Sequence, residues 1–317
     1  MQVKELRSVV EKTAPKFITS SFSMLEYSPG SLKVKGTDLD LKMSDRSKGK
    51  FSSFLTIPKT FLPKITDELQ VQVVNHFLKS SPNSEVLLSY TANNELRNAY
   101  PGSAAILPPK MMVDSIEKVF NEDDQVRDLN FNDGFKVSII TDSLTTEPRV
   151  GDITKGGVRI ASTIGEAPKV ASFLERLVCS NGMVVPVTNA SLTLRGKTVN
   201  EIIEEMEVMA SYVLGSSTND ALNNWKHLST INAPDASQLI HRFSNEYGIG
   251  SRMQNRLLDR VSELEGNTYY DVVNLITSMQ HEEGVSEAMR ENLQLIGGQI
   301  VNTRGGHRCN SCYHSLD

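Results

Sequence analysis

An α+β chain, with a largely antiparallel-sheet part followed by an α-helical part, is the fold class this sequence predicts. Three observations carry the prediction. Between residues 17 and 163, short stretches alternate apolar and polar side chains and are punctuated by turn signals such as Ser28-Pro29-Gly30 and Asn93-Asn94. From Thr198 onward the apolar residues recur at helical spacing, behind capping residues such as Thr198-x-x-Glu201. Charge changes sign at the same place. Residues 31–64 hold eight basic against three acidic residues, and residues 147–200 seven against four, whereas residues 201–300 hold six basic against fifteen acidic.

Taken in order, Val3, Leu6, Val9 and Val10 mark a short helix that Pro15 interrupts. Residues 17–27 and 32–43 favour strands. In the second, Leu32, Val34, Leu39, Leu41 and Met43 alternate, and Gly36 is expected to mark a bulge. Residues 44–50 form a polar basic loop in this reading, and 51–57 a third strand ended by Pro58. Thr66 caps a helix carrying Leu69, Val73, Phe77 and Leu78; residues 86–91 and 96–100 then make a hairpin. Met112, Ile116, Val119 and Phe120 share a helix face, and Asn121 to Gln125 make a solvated break. Residues 135–141 and 157–163 are expected to pair as strands.

Residues 168–178 read as a compact amphipathic helix. Pro168 suits its first turn, Val170, Phe173, Leu174, Leu177 and Val178 form its apolar face, and Asn181-Gly182 gives a left-handed stop. Helices are expected after Thr198, around Ala221, Trp225 and Leu228 behind a cap at Ser216 to Thr218, after Asp235 (ending at Gly248 to Gly250), and across 253–264, 269–279 and 286–295. The division that follows is an α+β unit at 1–195, an acidic helical unit at 196–300 and a tail at 301–317.

With 317 residues, 39% hydrophobic, 22% charged and a net charge of -5, the chain has the composition of an ordinary globular protein. No apolar run approaches the roughly 18 residues that cross a bilayer, so no membrane role is expected. The first residues lack a signal-peptide pattern, and three cysteines cannot support a disulfide scaffold; a cytoplasmic protein is the expectation.

Candidate chemistry is sparse. Gly156-Gly157 has the spacing of neither a Walker loop nor a dinucleotide fingerprint, and a bulge or tight turn accounts for it. Cys179 is expected in the core rather than as a nucleophile, and Arg176 to hold the Asn181 carbonyl region, Asp152 or an anionic ligand. The tail carries His307, Cys309, Cys312 and His314. A C-x-x-C pair sets two sulfurs on one side of a tight turn, as tetrahedral zinc requires. Structural zinc and an unstructured tail both remain open. No nucleophile–base pair, phosphate loop or carboxylate pair is legible, so no enzyme is predicted.

The run Arg176-Leu-Val-Cys-Ser-Asn-Gly-Met-Val184, the preceding Gly156 to Thr163 and Gly165 together resemble a phage and plasmid family known only as domain of unknown function nine hundred thirty-two. Asp152, Gly157, Ser162, Gly165, Arg176, Cys179, Asn181 and Gly182 match its pattern. Leu96 to Tyr100 is similar to its arginine-bearing segment, and the likeness spans about residues 80–215. Ser162-Thr163 stands where the family has Asn-Ser. The resemblance implies a mobile-element setting and no particular chemistry. The expected function is a DNA-metabolism protein that binds single-stranded nucleic acid, for instance an oligomeric annealing factor. Lys33, Lys35, Arg46, Lys48, Lys50, Arg149, Lys155, Arg159, Arg195 and Lys197 would meet phosphates, with Phe51, Phe54 and Tyr100 as stacking residues. The alternative is a regulatory or host-defence-inhibiting protein acting through its acidic helical half.

Overall fold

A computed structural model describes residues 1–177, 197–233, 235–264 and 266–304, and the backbone of 181–185. The α+β class holds: antiparallel sheets occupy the first 185 residues and helices dominate the rest. Helix α1 (Val3–Thr13) is followed by β1 (Lys16–Ser21), β2 (Leu25–Ser28), β3 (Ser31–Val34) and β4 (Asp40–Lys42). Next come α2 (Asp45–Phe54), α3 (Asp67–Ser80), β5 (Glu85–Tyr90), β6 (Leu96–Pro101) and α4 (Pro109–Val119). Strands β7 (Gln125–Asn130), β8 (Gly134–Arg149), β9 (Asp152–Thr163), β10 (Lys169–Arg176) and β11 (Asn181–Val185) then form one sheet, ordered β11-β10-β9-β8-β7. The helical part is α5 (Val199–Tyr212), α6 (Thr218–Leu228), α7 (Ala236–Tyr247), α8 (Ser251–Asp259), α9 (Tyr269–Ser278) and α10 (Glu287–Asn302).

The five-stranded sheet is the centre. Its register sets Val137 opposite Ile160 and Ile139 opposite Val158, with Ile160 opposite Val170 on the next strand. These side chains share one face and are buried with α1, α4 and α5. Farther along that face Leu174 and the half-buried Leu144 join α6 and the remaining helices in a second core. Helix α5 therefore belongs by packing to the sheet, although its composition matches the acidic run. Residues 16–101 form a separate module between α1 and α4. Two three-stranded sheets, β1-β5-β6 and β2-β3-β4, enclose their own core with α2 and α3.

Five expectations need correction. Residues 169–176 are strand β10, not a helix, and Asn181-Gly182 opens β11, paired with Arg176 and Glu175, rather than stopping a helix. Both faces of this strand are covered, so its apolar residues run almost continuously instead of alternating. Residues 45–54 are helix α2, not a loop and a strand; the Ser44 side chain accepts the Ser47 N–H, at 3.2 Å, and Phe51 faces the core. Residues 32–43 form two strands, and Gly36 (φ 77°) lies in the turn between them. Ser216 to Thr218 caps nothing, since a π-helical turn over Val213–Ser217 carries α5 straight into α6. In the supposedly solvated break, Asp124 is buried and its carboxylate accepts the Asn121 N–H.

Gly156 and Gly157 lie within β9 where the register against β8 shifts between Ile140 and Thr145, as the expected bulge: a Cβ on Gly157 would overlap the Ile139 carbonyl oxygen, and one on Gly156 the side chain of Thr218. The two glycines let β8 and α6 approach β9 closely. The predicted α1, α3, α4 and β5–β6 hairpin, the β8–β9 pairing and the Thr66, Thr198 and Asp235 caps are all present.

Candidate functional site

Most of the basic residues expected to meet phosphates are held by carboxylates once folded, whereas a few cations gather in a cleft. Lys33 lies on the wet side of β3 between Glu26 and Asp40 on the flanking strands, and Lys35 is 3.8 Å from Glu26. Lys48 pairs with Asp45 at 3.7 Å, Lys155 with Asp142 and Lys197 with Glu205. Arg159, 11% exposed, bonds Gln294 at 2.9 Å and lies 3.4 Å from Asp128. Arg149 grips Asp271 with two nitrogens, at 2.6 and 2.7 Å. Arg149 and Arg159 are therefore structural partners of acids and do not line a positive groove. Arg195 lies outside the described residues, as do Cys179 and the tail set His307, Cys309, Cys312 and His314. Among the described residues no cluster of three or more His, Cys, Asp or Glu is placed to hold a metal ion.

Arg176 takes one of its predicted partners. Its Nε donates to both oxygens of Asp152, at 2.6 and 2.7 Å. Asp152 also accepts the Tyr270 hydroxyl, and the Tyr270 ring packs on Trp225 at 4.3 Å with the Arg149 guanidinium 4.9 Å from its centre. Burial pushes the Asp271 carboxyl upward, but the Arg149 guanidinium and the Thr268 N–H and hydroxyl outweigh it, leaving its pKa below the usual carboxylate range. These contacts fasten the β8–β9 end to α9. They form a structural clamp, because every charge in it is answered by another within the protein.

The cleft is built from three elements. Strand β4 ends at Lys42, whose N–H bonds the Asn94 carbonyl at 2.8 Å and so docks the tip of the β5–β6 hairpin. Ser44 then caps α2, which presents Arg46 and Lys50 along one side, and β6 supplies Arg97 from across the gap. The resulting space of about 460 Å³ has four cations, Lys42, Arg46, Lys50 and Arg97, and one carboxylate, Glu95. Lys50 reaches Asp133 at 3.1 Å, whereas Lys42, Arg46 and Arg97 form no ion pair among the described residues. Lys42 and Arg97 were not singled out as contacts in the sequence. A sign was present, in that β4 and β6 both bring a cation next to the 44–50 segment, but only the docked hairpin shows it.

None of the expected stacking aromatics is presented to solvent as a platform. Phe51 is a core residue at 1% exposure, and Phe54 packs edge-on against Phe22 at 6.0 Å. Tyr100 is half-buried, its hydroxyl accepting from Asn98 at 2.9 Å, and burial pushes its pKa up to about 12. Family models, curated proteins and solved structures were all compared with the chain, and none matches it.

A second cleft, of about 650 Å³, opens between the other face of the five-stranded sheet and the start of α10. It is lined by charges of both signs. No helix among the described residues is long and apolar enough to cross a membrane.

Proposed function

We propose that the protein binds single-stranded nucleic acid, without breaking or making its bonds, through the cleft of Lys42, Arg46, Lys50 and Arg97. The observation that carries this is the surplus of cations on one concave wall. Every other predicted basic contact that the structure describes, apart from Lys33 on its strand of mixed charge, has a carboxylate within 4 Å, while Lys42, Arg46 and Arg97 have none among the described residues. Phosphate oxygens are the ligands such a wall satisfies best, Arg46 and Arg97 by two-pronged hydrogen bonds and Lys42 as a point charge. With Phe51, Phe54 and Tyr100 packed away from solvent and no aromatic among the described residues that line the cleft, the affinity comes from phosphates and tolerates any base sequence.

The resemblance to the phage and plasmid family supports a setting in mobile-element DNA metabolism, such as annealing by an oligomer in the host cytoplasm. A structural zinc on His307, Cys309, Cys312 and His314 belongs to the same proposal; metal analysis of the purified protein tests it. For nucleic acid the decisive measurement is fluorescence anisotropy of a labelled single strand at low salt. Three displaced phosphate counterions give a log–log salt slope of about -2. Arg46→Ala with Arg97→Ala should remove most of that slope, while Lys35→Ala should leave it unchanged. No binding at micromolar protein, or equal binding by the double variant, ends the proposal.

A second reading has one observation in its favour. On α5, Val208 and Tyr212 are 71% and 60% exposed beside Glu201, Glu204 and Glu205, an acidic face with an apolar centre. Such a face suits contact with a basic protein. Under this reading a host partner is retained stoichiometrically after nuclease treatment and is lost with Val208→Lys.

A further inference from the structure

The second cleft answers to different chemistry. Its floor is the sheet face opposite the main core, where β7, β9 and β10 present Arg127, Arg159 and Glu175. Its far wall is the start of α10 and the single turn before it. Three guanidiniums, from Arg127, Arg159 and Arg290, meet four carboxylates, from Asp128, Glu175, Glu287 and Glu291. Arg127 bonds Glu175 at 2.5 Å, and Arg159 lies 3.4 Å from Asp128 and 3.7 Å from Glu291. Lys136, at the margin, pairs with Glu291 at 2.9 Å.

With the charges so balanced, an anionic ligand meets the carboxylates and a cationic one the guanidiniums, and neither gains net attraction. What the wall does offer is closely alternating donors and acceptors on planar groups. Two of its amides also have an unused atom. Gln280, 5% exposed, accepts from Gln294 Nε2 at 2.7 Å through its Oε1, while its Nε2 has no partner among the described residues. Asn130 Oδ1 is a buried acceptor in the same state. Buried polar atoms of this kind are normally paired. A hydroxyl group donates and accepts at once, so one class of molecule meets a lone donor, a lone acceptor and mixed charge together. Phe173 and Val285 add apolar surface for the carbon face of a ring.

We infer that this cleft is a binding site for an uncharged polyhydroxylated ring, a sugar taken either free or as the ribose of a nucleoside. Adjacent ring hydroxyls donate to Glu287 or Asp128 and accept from Arg290, and a small turn of Gln280 or Asn130 brings its spare atom onto the ring. Arg290 is exposed and without an ion pair among the described residues, so it is available for this.

The test is calorimetric titration of the full chain with glucose, galactose, ribose, adenosine and uridine, and with the phosphate esters of each. The expected result is saturable binding of at least one neutral compound, weakened at least about tenfold in its phosphate ester and about tenfold by Arg290→Ala or Glu287→Gln. Binding of both ribose and the nucleosides identifies the pentose as the recognised group; binding of a hexose alone identifies a free sugar. Both substitutions are at the surface, and unchanged far-ultraviolet circular dichroism confirms that each variant is folded. The Arg46→Ala, Arg97→Ala double variant should titrate like the parent, which separates this site from the nucleic-acid cleft. No heat from any neutral compound, tighter binding of the phosphates, or indifference to both cleft substitutions overturns the inference.

Discussion

Asp271 shows how one residue's surroundings set both its charge and its contribution to stability. Its carboxylate is 6% exposed and takes two hydrogen bonds from Arg149 as well as the Thr268 N–H, the last at 2.9 Å. Its folded pKa lies below the unfolded value of about 3.9. The stabilisation is therefore complete above that unfolded value and is lost as pH falls through the folded one. Urea midpoints measured from neutral pH down to pH 3 should drop less steeply at the acid end for Asp271→Asn than for the parent. Arg149→Ala leaves the carboxylate buried without its counter-charge, held only by the Thr268 N–H and hydroxyl. It should cost about 2–4 kcal/mol by urea denaturation, tempered by the partial exposure of the arginine. Sequence inspection named Asp152 as one of the options for Arg176, beside the Asn181 carbonyl region and an anionic ligand. It offered no means of pairing Arg149 with a residue 122 positions away.

At the scale of elements, α2 and the β8–β9 pair carry the sharpest expectations. Helix α2 depends on Ser44, whose side chain caps it and whose position starts the row from Arg46 to Lys50. Ser44→Ala should destabilise the 16–101 module by about 1 kcal/mol and weaken single-strand binding in the anisotropy assay through loosening of that row. The β8–β9 pairing depends on Gly157, because a methyl group there occupies the space of the Ile139 carbonyl. Gly157→Ala should cost about 3 kcal/mol or more in chemical denaturation, or prevent recovery of folded protein. If it is tolerated within about 0.5 kcal/mol, the strands approach less closely than described here. Helix α2 was legible in its cap and in the spacing of Phe51 and Leu55, yet a short apolar run after a basic segment reads equally well as a strand. Strand β10 failed for the same reason in reverse.

For the whole molecule, the arrangement of cores makes a prediction about cooperativity. Trp225 is the only tryptophan, fully buried, with its Nε1 donating to Thr154 at 3.1 Å. It belongs to the helical core, where α6 meets the sheet that both cores share. Its emission should be blue-shifted in the native protein and should report the sheet and helical part melting as one. The 16–101 module has a separate core and joins the remainder through polar contacts such as Lys50 and Asn98 with Asp133. A far-ultraviolet transition that begins before the tryptophan transition is the expected signature of that module opening first. Coincident curves would mean that the polar contacts couple the two parts more tightly than their size suggests.

The sequence by itself determined the α+β class, the places of most helices, the caps at Thr66, Thr198 and Asp235, and the β8–β9 strand pair. Those properties follow from local spacing and turn chemistry, which act over a few residues. Only the tertiary structure decided that residues 169–176 and 181–185 form a strand pair, that α5 packs on the sheet, and which cations keep their charge for a ligand. A strand covered on both faces loses its alternation, and an arginine's availability depends on carboxylates that arrive from distant parts of the chain.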